Sequence, residues 1–209
     1  MNNSLSIEIV ADYFRRFTPE DKQIDLVLRL LDISLNNNDF VFNGKIYVQT
    51  NGTAMGKAYS PTLANIYLDS LDRLATCYDE VIFYGRYIDD IFIIFKGTTD
   101  ELKTLESTLN DFIPGIKLTF ESSSSSVNFL DVNVYRTKGS AILGYKVYFK
   151  PTSNLNLLHH SSNHPKHTFS GIVKSQFIRY KYLTDEYDEY KKTCFKLINA
   201  LKIRGYQYH

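Results

Sequence analysis

Val81-Ile82-Phe83-Tyr84-Gly85-Arg86-Tyr87-Ile88-Asp89-Asp90-Ile91-Phe92-Ile93-Ile94-Phe95 is a pair of apolar runs with an acidic interruption. β-Branched and aromatic residues dominate both runs, Val81 to Arg86 and Ile91 to Phe95, which is strand composition. With only Tyr87-Ile88-Asp89-Asp90 between them, the stretch predicts an antiparallel hairpin with an acidic tip. The nearly continuous apolar flanks predict strands buried on both faces. The two adjacent carboxylates admit two readings. Asp is common in solvated turns. Alternatively, a tight turn breaks the alternation that sends neighbouring strand side chains to opposite faces, and both carboxylates can then approach one ion. Their hard oxygens suit Mg²⁺, which keeps several waters and takes further ligands from substrate phosphates. Carboxylates hold such ions about 3.5–4 Å apart in two-metal phosphoryl transfer.

Upstream lies Gln49-Thr50-Asn51-Gly52-Thr53-Ala54-Met55-Gly56-Lys57-Ala58-Tyr59-Ser60-Pro61-Thr62-Leu63-Ala64-Asn65. Gly52 and Gly56 allow positive φ and close approach of backbone to a ligand. Ser60-Pro61 predicts a helix start, with Ser60 as N-cap and a first-turn proline, running to about Tyr78. A glycine loop ahead of a helix N-terminus favours phosphate or sugar contacts. An ordinary loop-to-helix junction would be written with the same residues.

Outward from these motifs, helical spacing runs from Ser4 to Phe17. Thr18-Pro19-Glu20-Asp21 supplies the signals of a second helix start, and that helix continues through Ile24, Val27, Leu28, Leu31 and Leu35 to Asn36-Asn37-Asn38. Phe40 to Phe42, Asn43-Gly44 and Ile46 to Gln49 predict a hairpin. Thr99 opens a helix ended by Pro114-Gly115. Strands are predicted over Ile116 to Phe120, Val127 to Tyr135 and Ile142 to Phe149, with serines 122–126 as a connector. Helices close the chain at about Pro165 to Leu183 and Asp185 to Lys202. Helices alternating with antiparallel hairpins indicate an α+β fold with helices on one face of the sheet.

Bulk properties narrow the class. The 209 residues are 44% hydrophobic and 22% charged, a profile of folded, soluble chains, and the net charge of +1 leaves nucleic-acid binding undecided. Cys77 and Cys194 form no paired motif, which argues against a disulfide framework or a cysteine zinc site and fits a reducing, intracellular compartment. No run reaches the roughly 18 apolar residues of a membrane span, and no targeting signal is visible. His159, His160, His164 and His167 cluster in a polar segment, but their spacing matches no standard tetrahedral set. Lys174, Arg179, Lys181, Lys191, Lys192, Lys196 and Lys202 on the last helices read equally as a contact for nucleic-acid backbone or as a solvated face.

The two central motifs, in this order, resemble those of the reverse transcriptase family: Gln-x-x-Gly-x-x-Met-Gly, Ser-Pro and Ala-Asn, then Arg-Tyr-x-Asp-Asp before an apolar strand. Further segments resemble Penelope-like retroelement enzymes: Asn128-Phe129-Leu130-Asp131, Tyr148-Phe149-Lys150-Pro151-Thr152, Leu158-His159, Ser162, His164-Pro165-Lys166-His167 and Arg204-Gly205-Tyr206. The resemblance implies a polymerase palm-like antiparallel sheet over residues 1–150, then a linker and small helical thumb-like segment over residues 151–209. It implies RNA-directed DNA polymerisation, a two-metal nucleotidyl transfer to a primer 3′-OH. The partners would be an RNA template, a DNA primer and deoxynucleoside triphosphates; Mg²⁺ is the implied metal, with Mn²⁺ as substitute. Asp89 and Asp90 would be catalytic and hold the metal. Gln49, Gly52, Met55, Gly56, Ser60, Pro61, Asn65, Arg86 and Tyr87 would meet nucleotide and template. Phe129, Leu130, Asp131 and Lys150 would grip the primer. A eukaryotic retroelement enzyme would be nuclear.

In that family an earlier strand supplies another aspartate. Met1-Asn2-Asn3-Ser4-Leu5 is similar to the residues just after that strand, so the resemblance implies a chain that starts downstream of it and of the fingers. Asp12, Asp32 and Asp39 lie on or beside predicted helices and are poor substitutes. A site one carboxylate short is expected to lose about 10²–10⁴ in rate, leaving this chain inactive or nearly so. Two other functions compete. One is a catalytically inactive remnant that binds nucleic acid or serves a structural role. The other is a different two-metal enzyme, such as a nuclease or nucleotidyl cyclase, which the Gly52 to Asn65 loop disfavours.

Overall fold

The computed structural model describes residues 2–18, 23–54, 56–137, 139, 142–153 and 155–207. They form two compact units, Met1–Phe120 and Glu121–His209. Helices and antiparallel strands are mixed, as expected of an α+β chain, and the strands divide into three sheets. No described helix is long and apolar enough to cross a membrane.

The first unit begins with α1 (Asn3–Phe17), where the Asn2 side chain accepts from the Leu5 N–H at 3.1 Å. Thr18 was expected to cap the next helix. Instead its N–H and its hydroxyl both donate to the Phe14 carbonyl, so it closes α1. Pro19, Glu20 and Asp21 lie outside the described residues. α2 (Ile24–Asn36) follows, then a hairpin of β1 (Asp39–Phe42) and β2 (Lys45–Val48) turning at Asn43-Gly44. Every residue of that hairpin's strands is exposed. α3 (Ser60–Thr76) leads to β3 (Val81–Tyr87) and β4 (Asp90–Phe95), which pair antiparallel with Tyr87 opposite Asp90. α4 (Thr99–Phe112) starts with a capping box in which Thr98 and Glu101 satisfy each other's backbone N–H.

α3 is the beam of this unit. Leu63, Tyr67, Leu71 and Ala75, spaced by four, form one buried stripe. Leu63 joins Val10 and Leu35 in one apolar cluster. Tyr67, Leu71 and Ala75 join Leu105, Leu109 and Ile113 in another. Val81, Tyr84, Ile91 and Phe95 pack on the latter, whereas Ile82 and Phe83 are 61% and 49% exposed. The β3–β4 hairpin is therefore not buried on both faces: it is a two-stranded sheet whose inner face alone meets the helices. The strand expected over Ile116 to Phe120 is also absent. Ile116, Leu118 and Phe120 do turn inward at alternate positions, but the Leu118 backbone is held by Asn110, whose side chain accepts from its N–H at 2.7 Å and donates to its carbonyl at 3.2 Å. A side chain from α4 thus takes the place of a neighbouring strand.

The second unit contains β5 (Ser126–Phe129), β6 (Val132–Arg136) and β7 (Leu143–Val147) in one antiparallel sheet, then α5 (Lys166–Tyr182) and α6 (Tyr187–Ile203). The single strand expected from Val127 to Tyr135 is two strands, because Leu130 adopts φ +53° and reverses the chain with Asp131. Tyr180, Leu197 and Leu201 form this unit's buried core.

Candidate active site at the β3–β4 tip

Tyr87 and Asp90 are the last paired residues, so Ile88 and Asp89 alone make the turn. Ile88 has φ +58°. A β-branched side chain crowds the backbone there, at a cost of about 1–2 kcal/mol. Such strain persists only where the surroundings fix the conformation. Here the fixing group is Arg86, whose Nη1 donates to the Ile88 carbonyl at 2.8 Å.

The same guanidinium reaches α3. Its Nε and Nη2 donate to the two oxygens of Asp72 at 2.7 and 2.6 Å, a bidentate pair. Nη1 also donates to the Asn65 side-chain oxygen at 2.9 Å, and Nη2 to the Asn65 carbonyl at 3.3 Å. Tyr84 completes the network by donating its hydroxyl to Asp72 at 2.6 Å. The Arg86 side chain is only 8% exposed. Its hydrogen bonds with Asp72 raise its pKa further, holding the positive charge. Burial, and then the Asp72 carboxylate, push the Tyr84 hydroxyl well above its ordinary value.

Asp89 and Asp90 themselves are exposed, and among the described residues neither carboxylate carries a hydrogen bond or ion pair. Their lone pairs are free for a ligand. As hard oxygen donors they fit Mg²⁺ or Mn²⁺ bound partly through water and substrate phosphate. Among the described residues no set of three His, Cys, Asp or Glu converges, so these carboxylates are not joined by another. Tyr87, beside them, is 60% exposed. A cleft of about 560 Å³ in this unit is lined by Asn2, Leu5, Glu8, Asn51, Pro114 and Gly115, and by neither residue of the acidic pair.

The glycine loop is tied to the N-terminus of α3. Ser60, expected as N-cap, is instead the first helical residue. Its hydroxyl meets Thr53 Oγ1 at 2.6 Å and donates to the Ala54 carbonyl at 3.1 Å, latching the loop to the helix. Pro61 occupies the first turn. Gly52 and Gly56 adopt φ +78° and +88° with no crowding neighbour, so backbone conformation, not space, demands glycine. Gln49 accepts from Asn38 and donates to the Asn51 carbonyl, while Asn3 accepts from the Gly52 N–H at 3.0 Å. Met55 lies outside the described residues. α3 therefore carries the loop at its N-terminus and, through Asn65 and Asp72, the acidic turn along its length. Asn3, Asp72 and Tyr84 went unnoticed in the sequence. The one available signal was that Asn65 and Asp72 stand two helical turns apart, on one face.

Phe129, Leu130, Asp131 and Lys150 belong to the second unit. Asp131 pairs with Arg179, and its carbonyl accepts from the Tyr148 N–H at 2.8 Å; Lys150 is exposed. His160 packs at an angle against Phe169 and edge-on to Tyr206, while His159 and His164 bond to Ser161 and Ser162. On α6, Lys191 and Lys192 are paired with Asp188 and Glu189 of its first turn. α5 contains no acidic residue, and its Lys174 and Lys181 have no acidic partner among the described residues.

A family model described as reverse transcriptase (RNA-dependent DNA polymerase) matches residues 6–147. A second, described as an animal helix-turn-helix domain, matches residues 156–209. No curated protein and no solved structure matches the chain.

Proposed function

Because the chain belongs to the reverse transcriptase family, we propose that it takes part in RNA-directed DNA synthesis, with Asp89 and Asp90 at the reacting centre. The observation that carries this reading is a pair of free carboxylates on a turn whose backbone is clamped by Arg86. Free lone pairs on a fixed backbone are what a metal site needs before substrate arrives. Asp89 and Asp90 would hold Mg²⁺, or Mn²⁺, which when bound neutralises charge on the transferred phosphoryl group. In the reaction the primer 3′-oxygen bonds to the α-phosphorus of the deoxynucleoside triphosphate. The bond from that phosphorus to the bridging oxygen breaks, pyrophosphate leaves with the electron pair, and the hydroxyl proton passes to solvent.

Other residues take the roles their family motifs imply. Tyr87, exposed beside the carboxylates, would stack on the primer terminus or the incoming nucleotide. The Gln49 to Gly56 loop, including Met55, would lie against template and nucleotide, braced by Ser60, Pro61 and Asn65. Phe129, Leu130 and Lys150 would contact the primer. The segments from Asn128 and Tyr148 onward favour a Penelope-like member. The unpaired lysines of α5 suit contact with nucleic-acid backbone.

A second reading, a non-catalytic nucleic-acid-binding remnant, is favoured by one observation: no further carboxylate joins Asp89 and Asp90 among the described residues. Single-turnover extension of a DNA primer on an RNA template, with Mg²⁺ or Mn²⁺, separates the two. The polymerase reading expects slow extension that disappears with Asp89→Asn. The remnant reading expects template–primer binding with no extension by either protein.

A further inference from the structure

We infer that Arg86 is a positioning residue: it sets the geometry of the metal-binding turn from helix α3 and does not bind substrate. The inference rests on the reading of Asp89 and Asp90 as metal ligands.

Every nitrogen of the Arg86 guanidinium already has an acceptor within the chain. A triphosphate or template phosphate would have to displace Asp72, Asn65 or the Ile88 carbonyl, and the side chain is 8% exposed. As a phosphate ligand the group is spent. What it does instead is join two elements of very different burial. α3 is anchored by Tyr67, Leu71 and Ala75, all at most 1% exposed. The turn at Ile88-Asp89 is exposed at Asp89 and strained at Ile88. The bond from Nη1 to the Ile88 carbonyl fixes the peptide that leads directly into Asp89, and the planar fork fixes Nη1 because Asp72 holds the opposite edge. Tyr84 donates to the same carboxylate oxygen and restrains it in turn. The chain of contacts runs from core to Asp72, to Arg86, to the Ile88 carbonyl, to the Asp89 backbone.

An ordinary buried ion pair would use the same residues, so the test must separate fold stability from turn geometry. Glycine at position 88 provides that separation. It adopts positive φ without help and should free the turn from its dependence on Arg86. Mn²⁺ binding by the full chain, followed by the EPR signal of the free ion, is measured beside thermal unfolding for each variant. Asp89→Asn tests the metal reading by itself. If it leaves Mn²⁺ affinity unchanged, that reading falls and the role of Arg86 falls with it. Given a loss there, Arg86→Gln should weaken Mn²⁺ binding about tenfold, as removal of groups that orient metal ligands does. Arg86→Lys, which keeps a charge beside Asp72 but lacks the fork, should show the same loss with a smaller drop in Tm; it serves if Arg86→Gln does not fold. Adding Ile88→Gly to the weakened variant should restore most of the affinity while Tm stays low. Wild-type affinity in both Arg86 variants, or a loss that Ile88→Gly does not relieve, would overturn the inference.

Discussion

The β3–β4 and β5–β6 hairpins close with the same design. Each uses a two-residue turn in which a bulky apolar residue takes positive φ, +58° at Ile88 and +53° at Leu130, and an aspartate follows. They part at the carboxylate. Asp131 is given an arginine, Arg179 of α5, and becomes a structural tie. Asp89 has an arginine close in sequence as well, but Arg86 is turned to Asp72 and to the Ile88 carbonyl. One turn spends its aspartate on the fold; the other fixes its backbone by separate means and keeps the aspartate free. The β1–β2 hairpin supplies the reference, since Asn43-Gly44 reaches φ +50° and +72° with residues suited to it. Turn shape alone does not distinguish a free carboxylate from a paired one. The destination of the nearest guanidinium does.

Substitutions can break this contrast, and the largest effect is expected at the free carboxylate. Asp89→Asn should cost about 10²–10⁴ in the rate of metal-dependent primer extension, while Asp131→Asn, at a paired carboxylate in the segment that would meet the primer, should cost less than about tenfold. Equal losses in single-turnover assays would erase the distinction between the two turns. Next in size, Asp72→Asn leaves Arg86 with half its fork unpaired in a largely buried place. It should lower stability by about 3 kcal/mol in urea unfolding. Arg179→Gln, at a pair about half exposed, should cost less than about 1 kcal/mol. Smaller still, Leu130→Gly exchanges relief of strain against greater freedom of the unfolded chain, so the net change should stay within about 1 kcal/mol. Ile88→Gly should behave alike in stability; a clear difference between the two would show that Arg86 stabilises the turn beyond offsetting strain.

The smallest effect is in alkali. Tyr84 is raised by burial and by Asp72, and Tyr135 is pushed up to about 12 by burial and by Asp185. The fold favours both neutral phenols, so their contribution is fully present below the unfolded value near 10 and is lost as pH rises beyond it. Stability should therefore fall between about pH 10 and 12. Tyr84→Phe and Tyr135→Phe should each flatten that slope, as read from denaturant midpoints across the range.

The hairpin tip was legible because local composition and period carry it: two apolar runs, an acidic interruption and a strand–turn–strand rhythm. α4 and the Asn43-Gly44 turn were equally plain. The Leu130-Asp131 reversal was not, since leucine is no turn former, a lone aspartate is a weak turn signal, and apolar residues continue on both sides of it from Val127 to Tyr135. Ile116 to Phe120 misled in the opposite way: its alternation is real, but Asn110 satisfies the backbone where a partner strand was expected. The clamp was hidden for a third reason. Arg86 and Asp72 lie 14 positions apart, and Asn3 reaches a carbonyl 47 positions away. Side-chain partnerships at such separations leave no periodic trace. The motif thus revealed which residues carry charge at the tip, while the means of holding them there became visible only in three dimensions.

The bond between Arg86 and α3 also makes the acidic turn answerable to the phase of a helix. Asn65 and Asp72 face the guanidinium together because the seven steps between them nearly complete two turns. A single residue inserted between them would swing Asp72 by about 100° and lift it by about 1.5 Å. The guanidinium would lose its anchor although neither strand nor the acidic pair had changed. Length variation in α3 between these positions should therefore be as poorly tolerated as loss of the arginine, whereas the exposed β1–β2 hairpin can lengthen freely.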